Sequence, residues 1–175
     1  MALVIKTKLK INVPIEQVYR AFTNATILRQ WFCDFATVDA KQGGRAYFWW
    51  TSGRYLTGEF SEAKPDKTLK IACRGCQERG STEISLNLIS KGKETQVNII
   101  ESGFTNEKTR TEIERRWEES LTNLKSYLEN GLDLRFTNRP MLGIIFGDFN
   151  DKIASQLGIP VKEGIRITDV VNGLA

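Results

Sequence analysis

Residues 108–130 dictate much of what the remaining chain must supply. Ile113, Trp117, Leu121, Leu124 and Leu128 advance by 4, 4, 3 and 4 along this segment, so they form one stripe of a long amphipathic helix. Thr109 or Thr111 is the expected N-cap, because Glu112 or Glu114 follows three residues later, and Gly131 suits the left-handed C-terminal cap. A stripe of about six turns needs a broad apolar face to lie on. Only the segment between residues 35 and 104 is built to offer one.

That segment consists of short β-type runs separated by "KQGG", "TSG", "KPDK", "ERGS" and "SKGK". The expected strands are 33–39, 45–50, 55–63, 67–74, 81–90 and 94–102, joined by connections too short for parallel crossovers. An earlier strand runs from 3 to 13, with Leu3, Ile5, Leu9 and Ile11 on one face, interrupted by Thr7, and Lys6, Lys8, Lys10 and Asn12 on the other. Pro14 opens a short helix with Ile15, Val18, Tyr19 and Phe22 on its buried side. A second short helix follows, capped by Thr23 or Asn24 and carrying Ile27, Leu28 and Trp31 inward. The expected class is therefore α+β, a curved antiparallel sheet with two short helices, gripping a long C-terminal helix.

The chain has 175 residues, which predicts one domain and a remainder rather than two full domains. Its 25 basic and 21 acidic residues are mixed along the sequence, so nucleic acid is not an expected partner. The start alternates apolar and basic residues instead of resembling a signal peptide, and no apolar run reaches about 18 residues, so no membrane role and a cytoplasmic location are expected. Histidine is absent, which removes imidazole-based triads, Cys/His pairs and histidine metal sites from consideration. Cys73 and Cys76 form a lone "CRGC" whose only further soft ligand is Cys33, so reduced thiols are expected, with no metal and no cofactor.

"INVPIEQVYRAFTNATILRQWF", "GGRAYFWW", "GEFSEAKPDKTLKI", "ESGF" and "RWEESLTNLKSYLENG" occur in an order that resembles the activator of heat-shock-chaperone ATPase homology family, within the START-like (SRPBCC) superfamily. The resemblance spans residues 1–131 and implies a helix-grip fold enclosing a pocket for an apolar or amphipathic small molecule. It places Ala46, Phe48, Trp50, Leu56, Gly58 and Phe60 of the sheet and Trp117, Leu121 and Leu124 of the helix toward that pocket, with Trp31 nearby. Small Ala46 and Gly58 are expected to leave room, and a cavity of about 300 Å³ or more is expected between helix and sheet. Where many relatives carry a histidine, this chain has Glu101, which belongs at the pocket mouth, in an ion pair, or against a polar ligand. Some superfamily members are cyclases or dehydratases, but Glu101, Glu59 and Tyr55 are the only proton handlers near the expected pocket, so no catalytic residue is assigned. A protein-interaction module is the remaining alternative; the eukaryotic activators carry a separate N-terminal domain, so chaperone activation is not carried over. Tyr47 and Trp49 should face outward, opposite Phe48 and Trp50.

Residues 132–138 are expected to be a linker. "RPMLGIIFGDFNDKIASQLGIPVKEGIRITDVVNGLA", 139–175, resembles the first half of a bacterial PDZ domain, with Met141, Leu142, Gly143 and Ile144 matching the loop that receives a peptide carboxylate. The resemblance implies a longer protein whose complete PDZ domain binds a partner's C-terminus. Half such a domain cannot close its own core, so its apolar residues should seek a neighbouring surface or a second copy in a homodimer.

Overall fold

The computed structural model describes residues 3–75, 80–137, 142–161 and 163–171. The chain divides into two compact units, Met1–Thr137 and Asn138–Ala175.

The first unit runs β1 (Leu3–Ile11), α1 (Ile15–Thr23), α2 (Ala25–Trp31), β2 (Phe35–Val38), β3 (Arg45–Trp49), β4 (Tyr55–Lys64), β5 (Thr68–Gly75), β6 (Ser81–Lys91), β7 (Glu94–Phe104), α3 (Glu107–Asn130) and α4 (Leu134–Thr137). The seven strands lie in the order β1-β7-β6-β5-β4-β3-β2 and all pairs are antiparallel. Every neighbouring pair except β1·β7 is a sequential hairpin, as the short turns require. Period-two alternation gives the sheet one dry face: Ile5, Phe48, Leu56, Phe60, Leu86, Val97 and Ile99 are buried on it. Ile113, Trp117, Leu121 and Leu124 of α3 close the core from the other side. Tyr47 and Trp49 keep the opposite parity; Tyr47 lies 6.4 Å from both Phe35 and Tyr55, in an aromatic row on the outer face.

The helix ends correct two expectations. Asn106 caps α3 by accepting from the Thr109 N–H at 2.8 Å, so the cap lies upstream of Thr109 and Thr111. Pro14 precedes α1 with ψ 150° rather than forming its first turn. Asn24 caps α2 through the Ile27 N–H, and Gly131 adopts φ 71° at the end of α3, both as expected. Thr7 interrupts the apolar face of β1 and its hydroxyl, among the described residues, is buried without a hydrogen-bond partner.

Residues 132–137, expected as part of a linker, instead carry α4 and belong to the first unit. Cys33 and Cys73 are buried, while Cys76 lies outside the described residues. Among the described residues no group of three or more Cys, Asp or Glu could hold a metal, and no helix is long and apolar enough to cross a membrane.

The second unit holds β8 (Ile144–Gly147), α5 (Asp151–Gln156) and β9 (Arg166–Val170), with β8 and β9 antiparallel. Asn150 caps α5 by accepting from Lys152 and Ile153 N–H. Ala154 is its one buried apolar side chain among the described residues, whereas Leu142, Phe146 and Ile165 are 80%, 61% and 75% exposed. A two-stranded sheet has too little area to cover such residues itself.

Candidate ligand-binding cleft

Three chain segments meet at one end of the grip. The first is the end of α2, where Trp31 and Phe32 leave the helix. The second is the tight turn between β3 and β4, closed by Trp50 N–H to Arg54 C=O at 2.9 Å and by Gly53 at φ 82°. Asp34 fixes that turn, accepting from the Thr51 N–H at 2.7 Å and its hydroxyl at 3.1 Å. The third is the N-terminal half of α3, which presents Ile113 and Trp117.

Phe32 is the centre of this junction. Its ring stands 5.1 Å from Trp31, 5.3 Å from Phe48, 5.3 Å from Trp50 and 5.6 Å from Trp117, edge-on to Phe48 and Trp50 and stacked on Trp117. The three indoles are pinned through their N–H groups: Trp31 donates to the Ala21 carbonyl at 2.9 Å, Trp50 to the Phe32 carbonyl at 2.7 Å, and Trp117 to Glu101 Oε2 at 2.8 Å.

The space between helix and sheet is divided rather than forming the single chamber expected. An open cleft of about 420 Å³ has Trp31, Phe32, Trp50, Ile113 and Trp117 as its apolar floor and Arg54, Glu112, Arg116 and Arg135 on its rim. Beneath it lies an apolar void of about 50 Å³, walled by Phe48, Leu56, Phe60 and Leu86 of the sheet and by Trp31, Phe32 and Trp117. Gly58 leaves no room after all: a Cβ there would come within 3.0 Å of Ile71 Cγ2 and 3.3 Å of Cys73 Sγ, so glycine serves close strand packing.

The residues singled out from sequence thus separate. Trp31, Trp50 and Trp117 line the cleft; Phe48, Leu56 and Phe60 wall the void; Leu121 and Leu124 are core and border neither. Glu101 is not at the mouth. It is fully buried below Trp117, where its two oxygens accept from the Trp117 indole and, at 2.8 Å, from the Thr82 hydroxyl. Glu59 projects from the exposed face and Tyr55 sits at the cleft edge, so these three groups do not converge on one point. Met141 lies outside the described residues; Leu142, Gly143 and Ile144 lie in the second unit, where the Gly143 carbonyl accepts from Val171 N–H at 2.6 Å.

Sequence reasoning passed over Phe32, Asn123, Asp133 and Arg135. Asn123, 3% exposed, donates to the Trp31 carbonyl at 2.9 Å and to Asp133 Oδ1 at 3.0 Å, and accepts from the Leu134 N–H at 2.7 Å. Arg135 binds Asp133 and reaches the Cys33 carbonyl at 3.0 Å, walling one end of the cleft. Burial works to raise the Asp133 carboxyl, but the hydrogen bonds from Arg135 and Asn123 outweigh it and hold the group below its ordinary value. Burial pushes the neighbouring Cys33 thiol up to about 12, so it stays protonated. The helical period carries no signal for this network: Asn123 stands roughly 200° round the helix from Leu121, off the apolar stripe, and is buried by its bonds to the end of α2 and the start of α4.

The fold has known counterparts. Aha1 from Colwellia psychrerythraea, solved as a dimer, superposes with TM-score 0.66 at 23% identity, over 73% of this chain and 97% of that one. CalU16 from Micromonospora echinospora matches with TM-score 0.63 at 22% identity, over 74% and 78% of the two chains. DynU16, from the dynemicin biosynthetic locus, matches with TM-score 0.69 at 16% identity over 75% of this chain; the chain spans about half of it, 49%. At these identities the likeness is one of fold. No curated protein matches the chain. The model of the family described as activator of Hsp90 ATPase homolog 1-like protein matches residues 12–129, from the end of β1 almost to the end of α3. The chain belongs to that family, and its first unit is the family's α+β helix-grip domain.

Proposed function

We propose that the first unit binds an amphipathic small molecule in the cleft between α3, the end of α2 and the β3–β4 turn. The carrying observation is a cleft of about 420 Å³ with an aromatic floor and a polar rim, within the roughly 300–1,000 Å³ usual for small-molecule sites. The apolar body of the ligand lies on Trp31, Phe32, Trp50 and Trp117. Its polar end lies among Arg54, Glu112, Arg116 and Arg135. The role is binding rather than catalysis, since Glu101 is engaged beneath Trp117 and Glu59 is on the other face.

The test uses Ser120, which borders the cleft from α3 and is only partly buried, so a larger side chain there fills the cleft without entering the core. Native mass spectrometry with anilinonaphthalene sulfonate or dodecanoate should show a one-to-one adduct. Ser120→Trp should weaken it by about tenfold or more, the loss of a few buried methylenes' worth of contact. No adduct, or equal adducts in both proteins, would contradict the reading.

A separate proposal concerns residues 139–175. Their PDZ resemblance supports reading the Leu142–Ile144 loop as part of a site for a peptide C-terminus. The pairing of β8 with β9 is consistent with that reading.

A further inference from the structure

The cleft and the void below it share three side chains, Trp31, Phe32 and Trp117. Two of them are fixed by indole hydrogen bonds of 2.9 and 2.8 Å, and Trp50 beside them by one of 2.7 Å. Any of these indoles must break a hydrogen bond to move far. The Phe32 phenyl ring has none to break. Its backbone is held, with its N–H on the Leu28 carbonyl at 2.8 Å and its carbonyl on Trp50, so its remaining freedom is rotation of the ring. It is also half-buried, with the open cleft on one side of it and the void on the other.

We infer that Phe32 determines ligand specificity by setting how deeply the apolar part of the bound molecule reaches. With the ring in its present position a ligand stops at the aromatic floor. With the ring turned toward the cleft wall, the end of a single unbranched alkyl chain enters the space lined by Phe48, Leu56 and Phe60. That space is about 50 Å³, room for one or two methylene-sized groups when a water's share of liquid volume is about 30 Å³. Its lining is almost wholly apolar, so the entering end must be hydrocarbon. A bulky or branched end would not pass between Trp31 and Trp117. The chemical class this selects is a single-chain amphiphile, such as a medium-chain carboxylate. The inference rests on the cleft being the binding site.

The test is a chain-length series of straight carboxylates from octanoate to tetradecanoate, each displacing anilinonaphthalene sulfonate from the intact chain and from Phe32→Leu and Phe32→Trp. Leucine is chosen because it keeps an apolar contact where alanine would leave a hole in the aromatic cluster. Affinity should rise about fourfold per added methylene, the value of burying one, until the accessible space is filled. The chain length at which the rise stops should be about two methylenes longer in Phe32→Leu and about two shorter in Phe32→Trp. A plateau at the same length in all three proteins overturns the role of Phe32, and binding of the sulfonate to the parent chain then leaves the cleft reading intact. Failure of the sulfonate and all carboxylates to bind any of the three overturns both.

Discussion

Glu101 stands within the apolar run of β7 and is fully buried. A carboxylate on the dry face of β7, opposite Ile5 and Ile84, would be costly to bury alone. Its oxygens accept from Trp117 and Thr82, and the first of these bonds orients an indole of the cleft floor. Glu101→Gln can keep both contacts, because an amide oxygen still accepts from the indole and the Thr82 hydroxyl can turn to accept from the amide. The exchange should then cost no more than about 1 kcal/mol. Glu101→Leu leaves the buried indole N–H and hydroxyl without this acceptor and should cost about 2–3 kcal/mol. Urea denaturation of the three proteins gives the comparison. Equal stability of the leucine variant and the parent would show that the carboxylate does not hold Trp117 in place. The sequence showed that this position breaks the apolar pattern of "QVNIIESGF", but not which way the break is resolved, because Thr82 and Trp117 are 19 and 16 residues away.

At the scale of elements, α4 shows how a short segment walls one end of the cleft. Its four residues could not hold a helix alone. Asn123, Asp133 and Arg135 attach it to α3 and to the end of α2. Because the folded-state value of Asp133 is depressed, its contribution is present above the unfolded carboxyl's value near 4 and is lost as pH falls through the lower folded value. Asp133→Asn should therefore be about 1–2 kcal/mol less stable than the parent at pH 7, with the gap closing below about pH 4. Thermal melts of both proteins from pH 7 to 2.5 measure it, and a gap independent of pH would rule out the ionised carboxylate as its source. The strands and the three longer helices of the first unit were legible because their periods are strong and their turns chemically distinct. The segment 132–137 was not, because its order comes from side-chain bonds that no period marks, to Asn123 on α3 and from Arg135 to the Cys33 carbonyl far upstream. The cap at Asn106 was missed for a different reason: two threonines with well-spaced glutamates offered a rival pattern nearby.

For the whole molecule, the family and the grip followed from pattern and order, whereas the division of the interior did not. Phe32 follows Trp31 immediately and lies off the helical stripe, so no period marks it, yet its ring separates cleft from void. The cleft at the end of the grip is the proposed site of small-molecule binding. The chain has four tryptophans, which makes their indole N–H signals a direct reporter. Trp31, Trp50 and Trp117 line the cleft, whereas Trp49 follows the outward parity of β3. Titration with dodecanoate, followed by proton–nitrogen correlation spectra, should shift the signals of Trp31, Trp50 and Trp117 together, saturating along one binding curve, and leave Trp49 in place. Movement of Trp49 alone, or saturable binding that leaves the three cleft indoles unshifted, would contradict the account.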